Sequence, residues 1–500
     1  MYNHPGNCLI KFQLLYFSMI RNIKSLITGM FITGLVFNYS CKAPTSLVRN
    51  QPLQLPETYN GINDSLSIGE YHRNIFFKDT VLTGLIDSAL AHNLDLQNTI
   101  QKVMMARASL QSQKGMGLPT LDFFSSAGVD KYGKYTMSGV GNFDTNLSQN
   151  IDKDQKVTNP AQDFFLGLKS NWEIDLWGKI KSRKKATYSR VLASEKGRQW
   201  VATQLVATVA SYYYELLALD NRLEIVHRNI ALQERAVEVV KAQMEAGRAT
   251  SLAVQQFSAQ LLQTQSLEYE TNLNIIKLEN ELNSLLGRYA QTPIPRGKTI
   301  RQQQLIDQIH TGIPAALLEH RPDIQQAEWE LAASKADVDA ARKAFLPTLN
   351  ITPYMGFNAF KLPLLLANGS LTYGLLGGLT QPLMNRYQLK GDFAIADAQQ
   401  QIAVNNYKQT ILHAYEEVIS NLKGIEHYKK IVALNQDEVE TLTEAVATSN
   451  DLYFSGYASY LEVITAQKGV LEAELKRTIA QKELLLYTVN LYRSLGGGWE

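Results

Sequence analysis

The chain has 500 residues, with 49 lysines and arginines against 47 aspartates and glutamates, for a formal net charge of +2. Charges of both signs are dispersed along it, which excludes the basic face of a nucleic-acid binder and the acidic tail of a solvating protein. Its two cysteines, Cys8 and Cys41, fall in the first tenth of the chain, so the remainder carries neither a disulfide framework nor a thiolate metal site.

From the N-terminus, Met19 to Lys24 is a short basic region followed by the apolar run SLITGMFITGLVF, and residues 1–40 read as a secretory signal segment, with Met19 an alternative start to Met1. Cys41 follows directly after Ser40 and resembles the lipidation cysteine of a bacterial lipoprotein. An ordinary cleaved signal peptide is the competing reading, because Phe37, Asn38 and Tyr39 fit the usual lipobox poorly. Residues 41–81 then form an N-terminal extended segment. Further on, no run approaches the roughly 18 apolar residues of a spanning helix, so any membrane crossing must be made by strands.

Residues 82–287 read as a helix, two strands and a long helical hairpin. The first strand, Thr120 to Asp130, alternates imperfectly because Phe124 falls on its polar face; an exposed loop is expected from Lys131 to Gln162. In the second strand Phe164, Leu166, Leu168 and Trp172 oppose Phe165, Lys169, Asn171 and Glu173. A helix of about Lys179 to Ala246 carries the seam Leu216, Leu219, Leu223, Val226, Ile230, Gln233, Val237, Val240 and Met244, whose alternating steps of three and four define a coiled coil. Gly247 is the expected left-handed residue ending this helix.

Residues 288–320, with Pro293, Pro295 and Pro314, form a linker in which QQQLIDQI has room for a short helix. Residues 321–495 then repeat the earlier pattern, leaving 496–500 as a tail. Adding 209 to the seam gives Ile425, Tyr428, Val432, Asn435, Val439, Leu442, Val446, Ser449 and Tyr453, in phase, on a second helix of about Gly391 to Leu452. LPTLDFFSSAG at Leu118 is echoed by LPTLNITPYMG at Leu346. The strands here are Thr348 to Asn358 and Ser370 to Thr380; Gly456 ends the second long helix and Ser459 starts the next. Four strands leave two unpaired sheet edges, and in hydrocarbon each unsatisfied backbone group costs several kcal/mol, so several copies must share one barrel.

The stretch HRPDIQQAEWELAASKADVDAARKAFLP, together with WEIDLWGK, the glycine-plus-polar hairpin turns and the C-terminal SLGGGW, resembles the outer membrane efflux (TolC-like) proteins, in the lipoprotein branch serving resistance-nodulation-division (RND) pumps. The resemblance implies a mainly α fold with a membrane β-barrel portion, in which duplicated coiled-coil hairpins and four strands per chain assemble as a trimer around one 12-stranded barrel and an α-helical tunnel. It implies a passive exit duct in the outer-membrane lipid, its tunnel in the periplasm, joined to a periplasmic adaptor (membrane fusion) protein and an inner-membrane RND transporter. No cofactor, metal or catalytic residue is implied.

On that resemblance, the hairpin tips Gly247, Arg248, Ala249, Gly456, Tyr457 and Ala458 meet the adaptor, and Glu462 and Thr465 stand where the family's gate residues line the narrowest ring. Glu462 matches that pattern in charge and Thr465 departs from it. Three copies of Glu462 near one axis favour cations and raise at least one carboxyl pKa by like-charge repulsion. The competing reading is structural, since Ser459-Tyr460-Leu461-Glu462 is a capping box. Trp172, Trp177 and Tyr373 are candidate interfacial aromatics, ordinary packing being the alternative. Gln233 and Asn435 interrupt the seams and are read as facing a water-filled tunnel rather than fixing register. Arg321-Pro322-Asp323 is read as a helix start without chemistry.

Three rivals stand beside this reading. Eight scattered histidines without metal-ligand spacing argue against an enzyme. A type I secretion duct would share the architecture, and a periplasmic coiled-coil adaptor or scaffold would share the long hairpins.

Overall fold

The computed structural model describes residues 44–46, 55–59, 67–303, 310–384 and 386–499. Cys41, the signal segment and most of the QQQLIDQI stretch lie outside the described residues. In chain order, α1 (Thr80–His92) and α2 (Leu94–Gly115) lead to β1 (Asp122–Asp130), and a loop carrying α3 (Met137–Leu147) returns as β2 (Ala161–Lys169) and β3 (Trp172–Ile174). Helices α4 (Lys179–Glu245) and α5 (Ser251–Leu285) complete the first copy. The second repeats it as α6 (Pro322–Lys343), β4 (Thr348–Ala359), β5 (Leu371–Thr380), α7 (Tyr387–Phe454) and α8 (Tyr460–Ser494). At 1.5 Å per residue, the 67 residues of α4 and 68 of α7 each reach about 100 Å. No described helix is long and apolar enough to cross a membrane.

The residues divide into two compact units. The described part of the first is drawn from residues 44–46, Ala108–Tyr188 and Ala332–Ile402 and contains the sheet. All pairings are antiparallel: β1 pairs β2, β2 and β3 both pair β4, and β4 pairs β5, so β1 and β5 are the open edges. Strand registers align Phe123, Leu168 and Met355 with Tyr373, and Leu166 and Phe357 with Leu371, on one face. That face also holds Val129, Ile351, Leu375 and Leu379. Phe123, Val129, Leu371, Tyr373, Leu375 and Leu379 all stand exposed in the single chain. A one-residue slip would send the whole apolar set to the opposite face, so the alternation itself holds the register.

Two features of the sheet depart from the expected pattern. The second strand of the first copy is divided at Ser170 and Asn171, opposite Pro353 of β4; proline has no N–H to give the ladder, and the Ser170 N–H donates to its carbonyl at 2.9 Å. Phe124, anomalous on the polar face, packs toward Phe165 (5.9 Å between ring centroids), which in turn meets Tyr354 (6.3 Å), with the Lys169 ammonium 3.6 Å above the Phe124 ring. Glycines make room for these rings: a Cβ on Gly374 would lie 2.5 Å from the Tyr354 ring. In the stretch 131–162, expected as an exposed loop, helix α3 forms, with the Thr136 hydroxyl accepting from the Gly139 N–H at 3.1 Å. Its Met137, Val140, Phe143 and Leu147 are exposed.

The second unit, drawn from Asn50–Arg107, Ser189–Leu331 and Ala403–Glu500, is helical. Its core gathers Tyr213, Leu216, Leu282, Leu286, Val418, Leu491 and Tyr492 with Ile68, Leu82 and Ile86. Every seam position of both copies is buried or half-buried except Met244. Gln233 corrects the expectation of exposure to water. It is only 2 % exposed, and neither amide atom has a hydrogen-bond partner, because this seam position faces the packing between helices. Asn435 is half-buried.

Charged groups fasten the same unit. The Arg321 guanidinium, 2 % exposed, donates to both Asp323 oxygens (3.0 and 2.7 Å), to Glu417 (2.8 Å) and to the Ser494 carbonyl (3.0 Å). Asp79 caps α1 and accepts from Tyr213 and Gln303, each at 2.9 Å. Burial penalises the Asp79 charge, yet the bonds from Gln303, Tyr213 and the Val81 N–H hold its carboxyl below the usual carboxylate range. Arg296 bridges Asp220 at 3.0 Å and Glu279 at 2.6 Å.

Candidate functional site

The two hairpin tips are built alike. Gly247 (φ +72°) donates to the Met244 carbonyl while Arg248 donates to that of Gln243; Gly456 (φ +79°) and Tyr457 do the same to Tyr453 and Leu452. This paired bonding satisfies carbonyls left over at a helix end and needs a left-handed residue, which glycine supplies without strain. The motif recurs at Gly287 and Gly496, and both pairs are 209 residues apart (456 − 247 and 496 − 287). Each following helix has a side-chain cap: the Thr250 hydroxyl accepts from Ala253 at 3.2 Å and that of Ser459 from Leu461 at 3.3 Å.

Arg248 and Tyr457 project into solvent, Tyr457 being 85 % exposed. Ala249 and Ala458, expected at the exposed tip, are instead half-buried. Their N–H groups turn back to Gln243 and Leu452, and Ala249 packs on the apolar cluster of Val237, Val240, Ala253, Phe257 and Val463. That cluster draws on both hairpins. Further links between the copies are Asn221 to Thr478 at 2.7 Å, Arg228 to Glu474, and Tyr453 to Gln243.

Glu462 and Thr465, three residues apart, share an exposed side of α8, whereas Val463 between them is buried. The Ser459 hydroxyl donates to the Glu462 carboxylate, and this bond together with backbone N–H groups holds the carboxyl below its ordinary value in the single chain. The capping contact is therefore formed while the carboxylate still faces solvent.

Of the aromatics, Trp172 pairs with Ile351 on the apolar face near the helix-joined ends of the strands, and its indole N–H donates to Gly117 O at 3.1 Å. Trp177 lies just past those ends, its indole N–H bonded to Pro347 O at 2.7 Å. Tyr373 sits on the same apolar face near the loop end of β5. The Arg321 cluster is what residue-by-residue reading missed: Glu417 and Ser494 lie 96 and 173 residues away, and only the adjacent Asp323 gave a local signal. No group of three histidines, cysteines or acidic residues able to hold a metal occurs among the described residues.

The model of the family "Outer membrane efflux protein" matches residues 85–288 and 313–497. The chain is 28 % identical over 445 residues to the solvent efflux pump outer membrane protein SrpC of Pseudomonas putida, covering 89 % of this chain and 91 % of that one. It is 26 % identical over 455 residues to the probable outer membrane lipoprotein SilC of Salmonella typhimurium, covering 90 % and 94 %. A crystal structure of CusC, described as forming a transmembrane channel, superimposes with a TM-score of 0.78 at 25 % identity, over 91 % of this chain and all of that one. Duplicated hairpins, an open-edged sheet with one apolar face and these likenesses converge: the chain belongs to the outer membrane efflux protein family and is an outer-membrane efflux channel component.

Proposed function

We propose that three copies form a passive exit duct, each contributing its four strand lines to one 12-stranded barrel, with the helical hairpins docking on a periplasmic adaptor and an inner-membrane RND transporter. The observation that carries this is the sheet's open edges: β1 and β5 offer nine and ten residues of backbone beside an apolar face, and lipid cannot satisfy their hydrogen bonds. Pairing β1 of one copy with β5 of the next removes both edges. Native mass spectrometry of the detergent-extracted protein tests it. Three copies per particle are expected, and a monodisperse monomer would refute it.

Within this reading Glu462 is both cap and gate charge, and Gly247, Arg248, Gly456 and Tyr457 form the docking tips, with Ala249 and Ala458 beneath. Trp172, Trp177 and Tyr373 mark the two edges of the apolar band, and Cys41 carries the lipid. A palmitate label should be incorporated and then lost in Cys41→Ala; labelling that survives the change rules the anchor out. The relatives' names refer to solvents in one case and cations in another, at similar identities. Membership of the family therefore does not select a cargo class for this duct.

A further inference from the structure

At the helix-joined ends of the strands lies an open cleft of about 510 Å³, whose lining includes Asp175, Trp177, Lys181, Lys185, Asp339 and Lys343. Its three lysines have no carboxylate partner among the described residues. Lys343 donates to the Gly178 carbonyl at 3.3 Å and the Ser182 hydroxyl at 2.8 Å, both neutral acceptors. Lys181 and Lys185, one helical turn apart on α4, are exposed and form no ion pair among the described residues. Lys179, by contrast, is already paired with Glu173 at 2.5 Å. Of the two carboxylates in the lining, Asp175 is turned toward the N–H groups of Ile180 (3.0 Å) and Lys181 (2.8 Å), and with Asp339 it leaves the three ammonium groups one positive charge in excess.

The charge belongs to one copy of the duplication. Residues 179–185 read KIKSRKK, while the corresponding start of α7, residues 388–394, reads QLKGDFA. Helix formation and the shared coiled-coil architecture therefore do not demand the basic run. Beside it Trp177 is pinned by its indole N–H to the carbonyl of Pro347, the residue immediately before β4. The apolar face of the sheet ends at Ile174 and Leu349, so the cleft opens where an apolar band gives way to headgroups. Lysines at that depth lay their stems along apolar surface and present their ammonium groups to phosphate.

We infer that this cleft binds the phosphodiester headgroup of an anionic phospholipid, with Lys181 and Lys185 contacting the phosphate and Lys343 closing the site from α6. The inference rests on membrane insertion of the sheet and goes beyond the duct reading, since conduction does not require it. Each lysine near an anionic surface is worth about 1 kcal/mol, or about fivefold in affinity.

The test is native mass spectrometry of the full-length protein with phosphatidylglycerol or phosphatidylcholine added at matched concentrations. Phosphatidylglycerol should be retained preferentially, and Lys181→Gln/Lys185→Gln should weaken that retention at least tenfold while leaving retention of phosphatidylcholine unchanged. This double variant spares the Lys343 bonds to Gly178 and Ser182, so loss of fold does not confuse the result. The control Lys429→Gln/Lys430→Gln, far along α7, should retain the lipid like the parent chain. Equal retention of the two lipids, undiminished retention by the cleft variant, or an equal loss in the control would each overturn the inference. Displacement of the lipid by inorganic phosphate at the same concentration would overturn the assignment to lipid. Particle mass and conductance on the same samples report separately on the duct.

Discussion

Replacing Arg321 by methionine removes a guanidinium that is 2 % exposed, leaving Asp323 without that cation and Glu417 with Arg493 alone at 3.1 Å. Breaking a buried ion pair from one side costs about 3–5 kcal/mol, because the remaining charge is stranded. Glu417 keeps 33 % of its side-chain surface exposed, so the lower end, about 3 kcal/mol, applies. For a unit of this size each kcal/mol moves the melting temperature by about 2 °C, giving a fall of about 6 °C.

The pH dependence fixes the sign. Burial opposes ionisation of Glu417, but Arg321 and then Arg493 outweigh it and hold the carboxyl below its usual range. A depressed folded-state pKa gives stability that is present above the unfolded value and lost as pH falls through the folded one. The gap between Arg321→Met and the parent chain should therefore be full at pH 7.5 and shrink once pH drops below the ordinary carboxylate value of about 4. Adding Asp323→Asn to the variant should recover part of the loss at neutral pH, because Asp323 is the carboxylate that loses its bidentate partner while Glu417 keeps Arg493. Thermal unfolding in detergent followed by circular dichroism measures all of this. A gap under about 2 °C at pH 7.5, or one that ignores pH, would refute the stranded-charge reasoning.

Gln233→Leu should raise stability by about 1–3 kcal/mol, since it removes an amide buried with no partner; a lowered melting temperature would show that the amide is satisfied in the assembled protein. Gly456→Ala and Gly247→Ala should each cost on the order of 1 kcal/mol, through a positive φ rather than a clash, because no atom lies within 4 Å of the added Cβ; matched losses in denaturant melts would agree, and a null effect would not. Gly374→Val should cut the yield of assembled particles by pushing on the Tyr354 ring, and Tyr354→Ala should restore it; an unrescued loss would place the fault elsewhere. Glu462→Gln should reduce cation selectivity or divalent block in planar bilayers, and unchanged currents would confine Glu462 to capping the helix.

Much of this was legible where one residue speaks for its own neighbourhood. The heptad seams put α4 and α7 within a few residues of their ends, and Gly247 and Gly456 announced left-handed caps that the φ angles bear out. Period-two alternation gave the apolar face of the sheet. Legibility failed where the cause is remote or absent from the pattern. The ladder break at Ser170 comes from Pro353 across the sheet, and Phe124 makes sense only beside Phe165 and Lys169. Helix α3 hides among glycines and asparagines of weak helix propensity. Gln233 could have faced water or protein, since a seam gives the angle of a side chain but not what lies opposite.

Because the two copies diverged after duplication, their tips differ chemically even though their backbones match: one projects the cation Arg248 and the other the phenol Tyr457. In the proposed trimer the ring of tips would alternate two kinds of knuckle, and a partner with a single kind of socket would find every second position a mismatch. Such a partner must either carry two docking modes or leave half of the positions empty.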